Sequence, residues 1–138
     1  MIKRIMRSQK GEGYIDVVVS VWIFSKLLAL SLNVFQFFTL KQDMDFFARE
    51  MAKTAAAYGQ IQDGTDARYA ELVEETGLSP DTCTWTAAYF NTSQKKVQFG
   101  DPIRVKLTYK THLKGFGIFE IPVTLTAGYS AVSEKYWK

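Results

Sequence analysis

The hydrophobic and polar positions of this chain separate one long apolar stretch from segments with shorter periods. From Val17 to Leu40 there are 24 residues, and Lys26 is the only charged one. At 1.5 Å of rise per residue this stretch makes a helix of about 36 Å, enough to cross a hydrocarbon core about 30 Å thick. The pattern therefore predicts a single membrane-spanning helix near the N-terminus.

The helical pattern continues beyond Leu40. Residues 41–58 contain no Gly or Pro and consist mostly of good helix formers. Spacings of three and four place one set of larger side chains on one face: Met44, Phe47, Met51, Thr54 and Tyr58. Because Gly59 provides a stop, we predict one helix from Tyr14 to Tyr58, about 67 Å long. Its first half is expected in lipid and its second half against a C-terminal domain.

The remaining residues predict a short helix followed by strands. The helix is expected over Asp66–Thr76. Strands are expected where β-branched and aromatic residues are frequent or alternate with a period of two: Thr82–Phe90, Val97–Phe99, Ile103–Leu113 and Ile118–Val132. Pro122 indicates an edge, a strand start or a bulge. The predicted fold class is α+β, with a long transmembrane and then amphipathic helix packed on a small antiparallel sheet of three to four strands.

Basic residues are concentrated at the N-terminus. The chain has 17 Lys and Arg against 14 Asp and Glu, for a formal net charge of +3. Lys3, Arg4, Arg7 and Lys10 precede residue 11, beyond which 13 basic side chains face 14 acidic ones. Net charge therefore gives no reason to expect direct nucleic acid binding. Because Lys and Arg beside a membrane segment stay cytoplasmic, we predict the N-terminus inside and the C-terminal domain outside.

Candidate chemistry is sparse. His112 is the only histidine and lies on the polar face of its predicted strand, and no serine lies in a nucleophile motif. Cys83 is the only cysteine, which excludes an internal disulfide, and we expect it to be a small buried apolar residue rather than a reactive thiol. We therefore expect no enzyme activity, no metal and no cofactor. Tyr136 and Trp137 are expected in the core or sheet surface, or alternatively as a docking tip.

One arrangement of residues resembles the type IV pilin-like proteins. A basic leader ends in Lys10-Gly11, an acid follows five residues later at Asp16, and a long apolar helix then precedes a β-rich domain. Within that group the chain looks most like the TadE-like pseudopilins and the small pilin-like proteins of Gram-positive mobile elements. It differs from the usual pattern in having Asp rather than Glu at this position and more polar residues before it.

The resemblance implies cleavage by a prepilin peptidase. It places the cut between Gly11 and Glu12, which makes Asp16 the fifth residue of the mature chain. A cut after Gly13 would instead put Val18 at that position. The implied organisation is a leader over 1–11, a transmembrane half of the helix over 12–40, an extracytoplasmic half over 41–59 and an extracytoplasmic domain over 60–138.

Asp16 is the first candidate assembly residue. A carboxylate at the lipid boundary is costly unless it is paired. The resemblance implies that Asp16 pairs with the free amine of Glu12 on a neighbouring subunit. The alternative is a helix-start carboxylate favoured by the positive end of the helix dipole.

A polar stripe along the apolar helix is the second candidate. Its members, at spacings of three, four and three, are Lys26, Ala29, Asn33 and Gln36. Small and polar side chains of this kind pack against other helices in lipid, so we predict a helix–helix interface here. Alternatively, the Lys26 ammonium extends to the membrane surface without a partner.

The expected function is structural. The resemblance implies a pilin-like subunit, a minor one, of a type IV pilus-like or Tad-like surface, secretion or DNA-transfer apparatus. Implied partners are the membrane, other pilin-like subunits, a prepilin peptidase, an assembly ATPase and a membrane platform protein. The alternative is an uncleaved single-pass binding module anchored at the cell surface.

Overall fold

The computed structural model describes residues 9–62, 64–115 and 119–138. The elements in these residues are helices α1 (Gln9–Tyr58) and α2 (Gly64–Thr76) and strands β1 (Thr82–Ala87), β2 (Tyr89–Asn91), β3 (Lys96–Val97), β4 (Pro102–Gly115) and β5 (Phe119–Val132). The long helix packs through its C-terminal half on a three-stranded antiparallel sheet. The predicted α+β class is confirmed.

Helix α1 is longer than the sequence predicted. It already includes Gln9, whereas the predicted helix starts at Tyr14. Gly13 lies inside the helix, because a single glycine costs only about 1 kcal/mol relative to alanine and does not end a helix by itself. The other end is as predicted: Gly59 has a φ of 65°, and its N–H donates to the Ala55 carbonyl at 2.8 Å. Residues 1–8 of the predicted leader lie outside the described residues.

The C-terminal half of α1 buries one face in the core. Met44, Phe47 and Met51 are buried, as predicted. Tyr58 is not: its exposed fraction is 54 %, and its ring lies over Gly64, where an added Cβ would come within 2.6 Å of the ring. Small side chains complete the buried face: Ala48, Ala52, Ala55 and Ala56. These alanines let the helix backbone approach the rest of the domain closely.

Helix α2 packs across α1. Leu72 is fully buried, and the Tyr69 ring meets the Phe47 ring edge-to-face with centroids 5.3 Å apart. The Arg68 guanidinium lies 3.6 Å from a Glu50 carboxylate oxygen on α1. The apolar contacts therefore hold α2 in place, and the partly exposed ion pair contributes little beside them.

The three-stranded sheet has the order β1-β4-β5 and is antiparallel throughout. The central strand β4 alternates as predicted, with Ile103, Val105 and Leu107 buried and the residues between them exposed. Strand β5 lies at an edge, in agreement with the position of Pro122.

The predicted strand Thr82–Phe90 is two strands in the structure. The chain leaves the first sheet at Ala88, and β2 pairs with β3 in a separate two-stranded sheet. Pairing partners, not local composition, decide this division, because β4 pairs with β1 only as far as Ala87.

The β4–β5 hairpin runs along α1. Ile103, at the start of β4, clusters with Ala55 near the C-terminal end of the helix. Residues 111–114 of the same strand lie beside Asn33 and Gln36, much closer to its N-terminal end. The strands therefore follow the helix axis, and the far end of the hairpin approaches the predicted membrane span.

Candidate helix interface

The N-terminal half of α1 has no domain packed on it. Every residue from 13 to 28 is exposed, including Trp22 at 63 % and Phe24 at 66 %. Among the described residues, α1 is the one helix long and apolar enough to cross a membrane. A contiguous apolar surface of this size marks contact with lipid or with other protein. This bare segment is the candidate interface.

The polar stripe continues the buried face of α1 into the bare segment. Residues three or four positions apart share a helix face, and such steps lead from Lys26 through Ala29 and Asn33 to Leu40 and Met44. Met44 lies in the core beneath the sheet. The stripe is therefore on the side of the helix that the domain covers further along the chain.

The structure separates the four stripe residues into two pairs. Asn33 and Gln36 line a concavity together with residues 111–114 of β4, and the Asn33 side-chain amide donates to the Ala29 carbonyl at 2.9 Å. Lys26 and Ala29 lie outside that concavity. Lys26 is exposed, with its ammonium 5.6 Å from the centre of the Trp22 ring. A contact between helices of two subunits stays a prediction, and the Lys26 end of the stripe is the end open to it.

The residues of the predicted processing site lie within α1. Gly11 and Glu12 belong to the helix, and Asp16 is exposed in the bare segment. Because the helix includes Gln9, Asp16 lies at least seven residues from its N-terminal end in the uncut chain. The helix dipole stabilises a carboxylate only within the first turn, so it does not account for Asp16 in that chain. Pairing with a neighbouring subunit and cleavage after Gly11 stay predictions.

Cys83 corrects one sequence-based expectation. The residue is exposed, although it was expected to be buried. It lies opposite Leu107 in the register and so points to the helix side of the sheet, but β1 is an edge strand that the helices do not fully cover. An open groove remains there, lined by Met51, Ile61, Gln62, Asp66, Tyr69, Cys83, Trp85 and Lys95.

The groove affects the reactivity of the Cys83 thiol. Partial burial of the thiol within the groove raises its pKa although the residue as a whole is exposed, and the Asp66 carboxylate raises it further. We expect Cys83 to react completely with iodoacetamide in the folded protein, but more slowly at pH 7.5 than a free cysteine peptide, because less thiolate is present. The difference in reaction rate between Cys83 and the free peptide should become smaller as the pH rises, because a larger fraction of Cys83 is then thiolate. An Asp66→Asn chain should react faster than the parent, and an unreactive thiol in folded protein would contradict this account.

The chain end is part of the domain. The Trp137 indole N–H donates to the Gly59 carbonyl at 3.2 Å, and its backbone N–H donates to the Gln98 side-chain oxygen at 2.8 Å. Lys96 places its ammonium 4.2 Å from the centre of the indole ring. Trp137 therefore anchors the C-terminus, and Tyr136 alone of the predicted docking tip is largely exposed, at 66 %.

Comparisons with known proteins give a family and no function. The chain belongs to the family described as a domain of unknown function, DUF4320, whose model matches residues 21–138. The match includes the polar stripe and the whole domain and begins after Asp16. Neither a curated protein nor a solved structure matches the chain. In the described part of the chain, no three His, Cys, Asp or Glu side chains could together hold a metal ion.

Proposed function

We propose that this DUF4320 protein is a structural, membrane-anchored subunit that joins a pilin-like assembly through the bare segment of α1. The observation that carries the proposal is the division of one continuous helix into a bare apolar half and a half covered by the domain. Such a helix suits a subunit whose membrane segments pack side by side while its domain stands outside. The DUF4320 match adds no function to this reasoning.

The finer features of the proposal come from the resemblance to type IV pilin-like and TadE-like proteins. They are a minor-subunit role in surface attachment, secretion or DNA transfer, with a prepilin peptidase, an assembly ATPase and a membrane platform protein as partners. The four basic residues before Gly11 support a cytoplasmic N-terminus and an extracytoplasmic domain.

A second candidate function is an uncleaved, single-pass anchored binding module. It is favoured by the sheet face turned away from α1, which is exposed and carries several Lys and Arg side chains along β4. Such a module would keep its N-terminal residues and need no neighbouring subunit.

Mass spectrometry of the native protein separates the two functions. We expect a mature chain that begins at Glu12 when the protein is made together with its own peptidase. Gly11→Leu should leave the chain uncut, because the larger side chain occupies the position at which the peptidase cuts. Gly13→Ala is the matched control and should be cut normally, since an added Cβ there meets nothing within 4 Å. An intact Met1 in the parent chain would contradict the pilin-like proposal and support the anchored module.

A further inference from the structure

The side of the three-stranded sheet turned away from α1 is rich in positive charge. We call it the outer face; it consists of the even-numbered residues of β1, β4 and β5. Along β4 the outer face presents Arg104, Lys106, Lys110, His112 and Lys114, all exposed, and the last two also line the concavity beside Asn33 and Gln36 at the hairpin end. Alternate residues of a strand lie about 6.8 Å apart, so this row extends about 34 Å from Arg104 to Lys114.

Few acidic groups neutralise this row. Lys114 lies 3.8 Å from Glu120, both of them exposed, and the Asp81 carboxylate at the sheet edge accepts the backbone N–H of Lys110 at 2.6 Å. The side chains of Arg104 and Lys106 have no ion pair among the described residues. Most acids of the domain lie instead on the helices: Asp43, Asp45, Glu50, Asp66, Glu71, Glu74 and Glu75. The acids of the helices, several of which pair with cations on the same helices, therefore lie away from the outer face and leave most of its described cations without an ion pair.

Hydroxyl groups flank the cations in register. Arg104 lies between Thr86 and Ser130. Lys106 lies between Thr84 and Gly128, and because Gly128 has no side chain a shallow depression opens beside the two cations. In the three strands as described, the His112 imidazole is the one aromatic ring on the outer face, which has no Phe, Tyr or Trp.

We propose that the outer face binds a linear polymer of polyol phosphates. The cations of β4 would pair with successive phosphates, and the Thr and Ser hydroxyls would exchange hydrogen bonds with the polyol hydroxyls between them. This binding would be additional to assembly through α1 and does not depend on it.

Two other polyanions fit the outer face less well. Binding of single-stranded nucleic acid relies on several aromatic side chains on which successive bases stack, and the described outer face offers only the His112 imidazole. A membrane surface would meet only the hairpin end, because β4 and β5 follow the axis of α1, the helix expected to cross the membrane. The flanking hydroxyls favour a polymer that carries hydroxyls of its own.

The test uses the full chain in phosphatidylcholine nanodiscs and a fluorescently labelled glycerol phosphate polymer. We expect saturable binding, measured by fluorescence anisotropy, that weakens as salt is raised. Arg104→Gln, Lys106→Gln and Lys110→Gln combined should weaken binding at least about tenfold. The same variant should reduce the slope of log binding constant against log salt concentration by about 2, since each phosphate contact contributes about 0.7 to that slope. The matched control changes one Arg and two Lys away from the outer face, Arg68→Gln, Lys95→Gln and Lys138→Gln, and should bind like the parent.

A second variant examines the hydroxyls. Thr86→Val combined with Ser130→Ala should weaken binding of the glycerol phosphate polymer several-fold. Binding of inorganic polyphosphate should be unchanged, because polyphosphate has no polyol hydroxyls for these side chains to recognise. Circular dichroism confirms that each variant is folded. No binding by the parent, equal loss in the two triple variants, or tighter binding of DNA with the same number of phosphates would each overturn the proposal.

Discussion

An Asp16→Ala chain is expected to insert into the membrane normally and to be lost from the assembly. Asp16 lies exposed in the bare segment of α1, where a carboxylate at the lipid boundary is costly unless a positive group offsets it. In the proposed assembly that group is the α-amine of Glu12 on a neighbouring subunit. Removal of the carboxylate leaves the amine unpaired and removes the contact that fixes the relative height of the two helices.

Disulfide crosslinking in membranes measures this effect. In a Cys83→Ser background, Ala29→Cys should give crosslinked dimers, and addition of Asp16→Ala should reduce their yield at least about tenfold, equivalent to about 1.4 kcal/mol. Asp16→Glu should retain most of the yield because it keeps the charge. Ser31→Cys is the matched control: it lies at nearly the same depth but about 200° around the helix from Ala29.

Three outcomes would contradict the assembly role of Asp16. They are equal crosslinking with and without the carboxylate, equal crosslinking from Ala29→Cys and Ser31→Cys, and loss of the Asp16→Ala chain from the membrane fraction. The second outcome would also argue against the polar stripe as the contact surface between helices.

Gly59→Ala is expected to lower the stability of the domain strongly, because three parts of the domain meet at Gly59. The Gly59 carbonyl accepts the Val97 backbone N–H at 2.8 Å and the Trp137 indole N–H at 3.2 Å. Its φ of 65° favours glycine, and a Cβ added there would overlap the Cβ of Lys135 and lie 3.1 Å from the indole nitrogen. Gly59→Ala should therefore displace the C-terminal segment and break the contacts that Trp137 makes.

Gly77→Ala is the control for this substitution. Gly77 has nearly the same φ, 68°, but an added Cβ there meets nothing within 4 Å. Both variants should lose about 1–2 kcal/mol of unfolding free energy from the left-handed backbone. Gly59→Ala should lose about 2 kcal/mol more, because two hydrogen bonds of the C-terminal segment are worth about 0.5–1.5 kcal/mol each. Urea unfolding in detergent micelles, followed by tryptophan fluorescence, measures the difference, and equal losses would show that the C-terminal segment does not stabilise the domain.

Some features of the fold follow from contiguous residues alone. The length and apolarity of Val17–Leu40 predicted a membrane-spanning helix, and α1 is long and apolar enough for one. The stop at Gly59 and the alternation of β4 were also predicted correctly. Helix periodicity, the backbone freedom of glycine and the period of two in a strand are local properties, so the sequence displays them directly.

Other features depend on which segments become neighbours. A lone cysteine is usually a small buried apolar residue, but Cys83 is exposed because β1 lies at the edge of the sheet. Trp137 could have formed a docking tip, yet it binds the backbone of Gly59, 78 residues away along the chain. Neither position in the sequence carries a local signal of its partner.

The charged residues show most clearly which features are local in the sequence and which depend on the tertiary structure. The sequence predicted the leader and the topology from the basic residues before Gly11, because that signal is local. Beyond Gly11 the nearly balanced charge gave no reason to expect direct nucleic acid binding, because a net charge does not show where the charges lie. The period of two in β4 already puts its cations on one side of the strand. The packing of the helices on the opposite side of the sheet decided that this side is exposed and that most of the acids lie away from it.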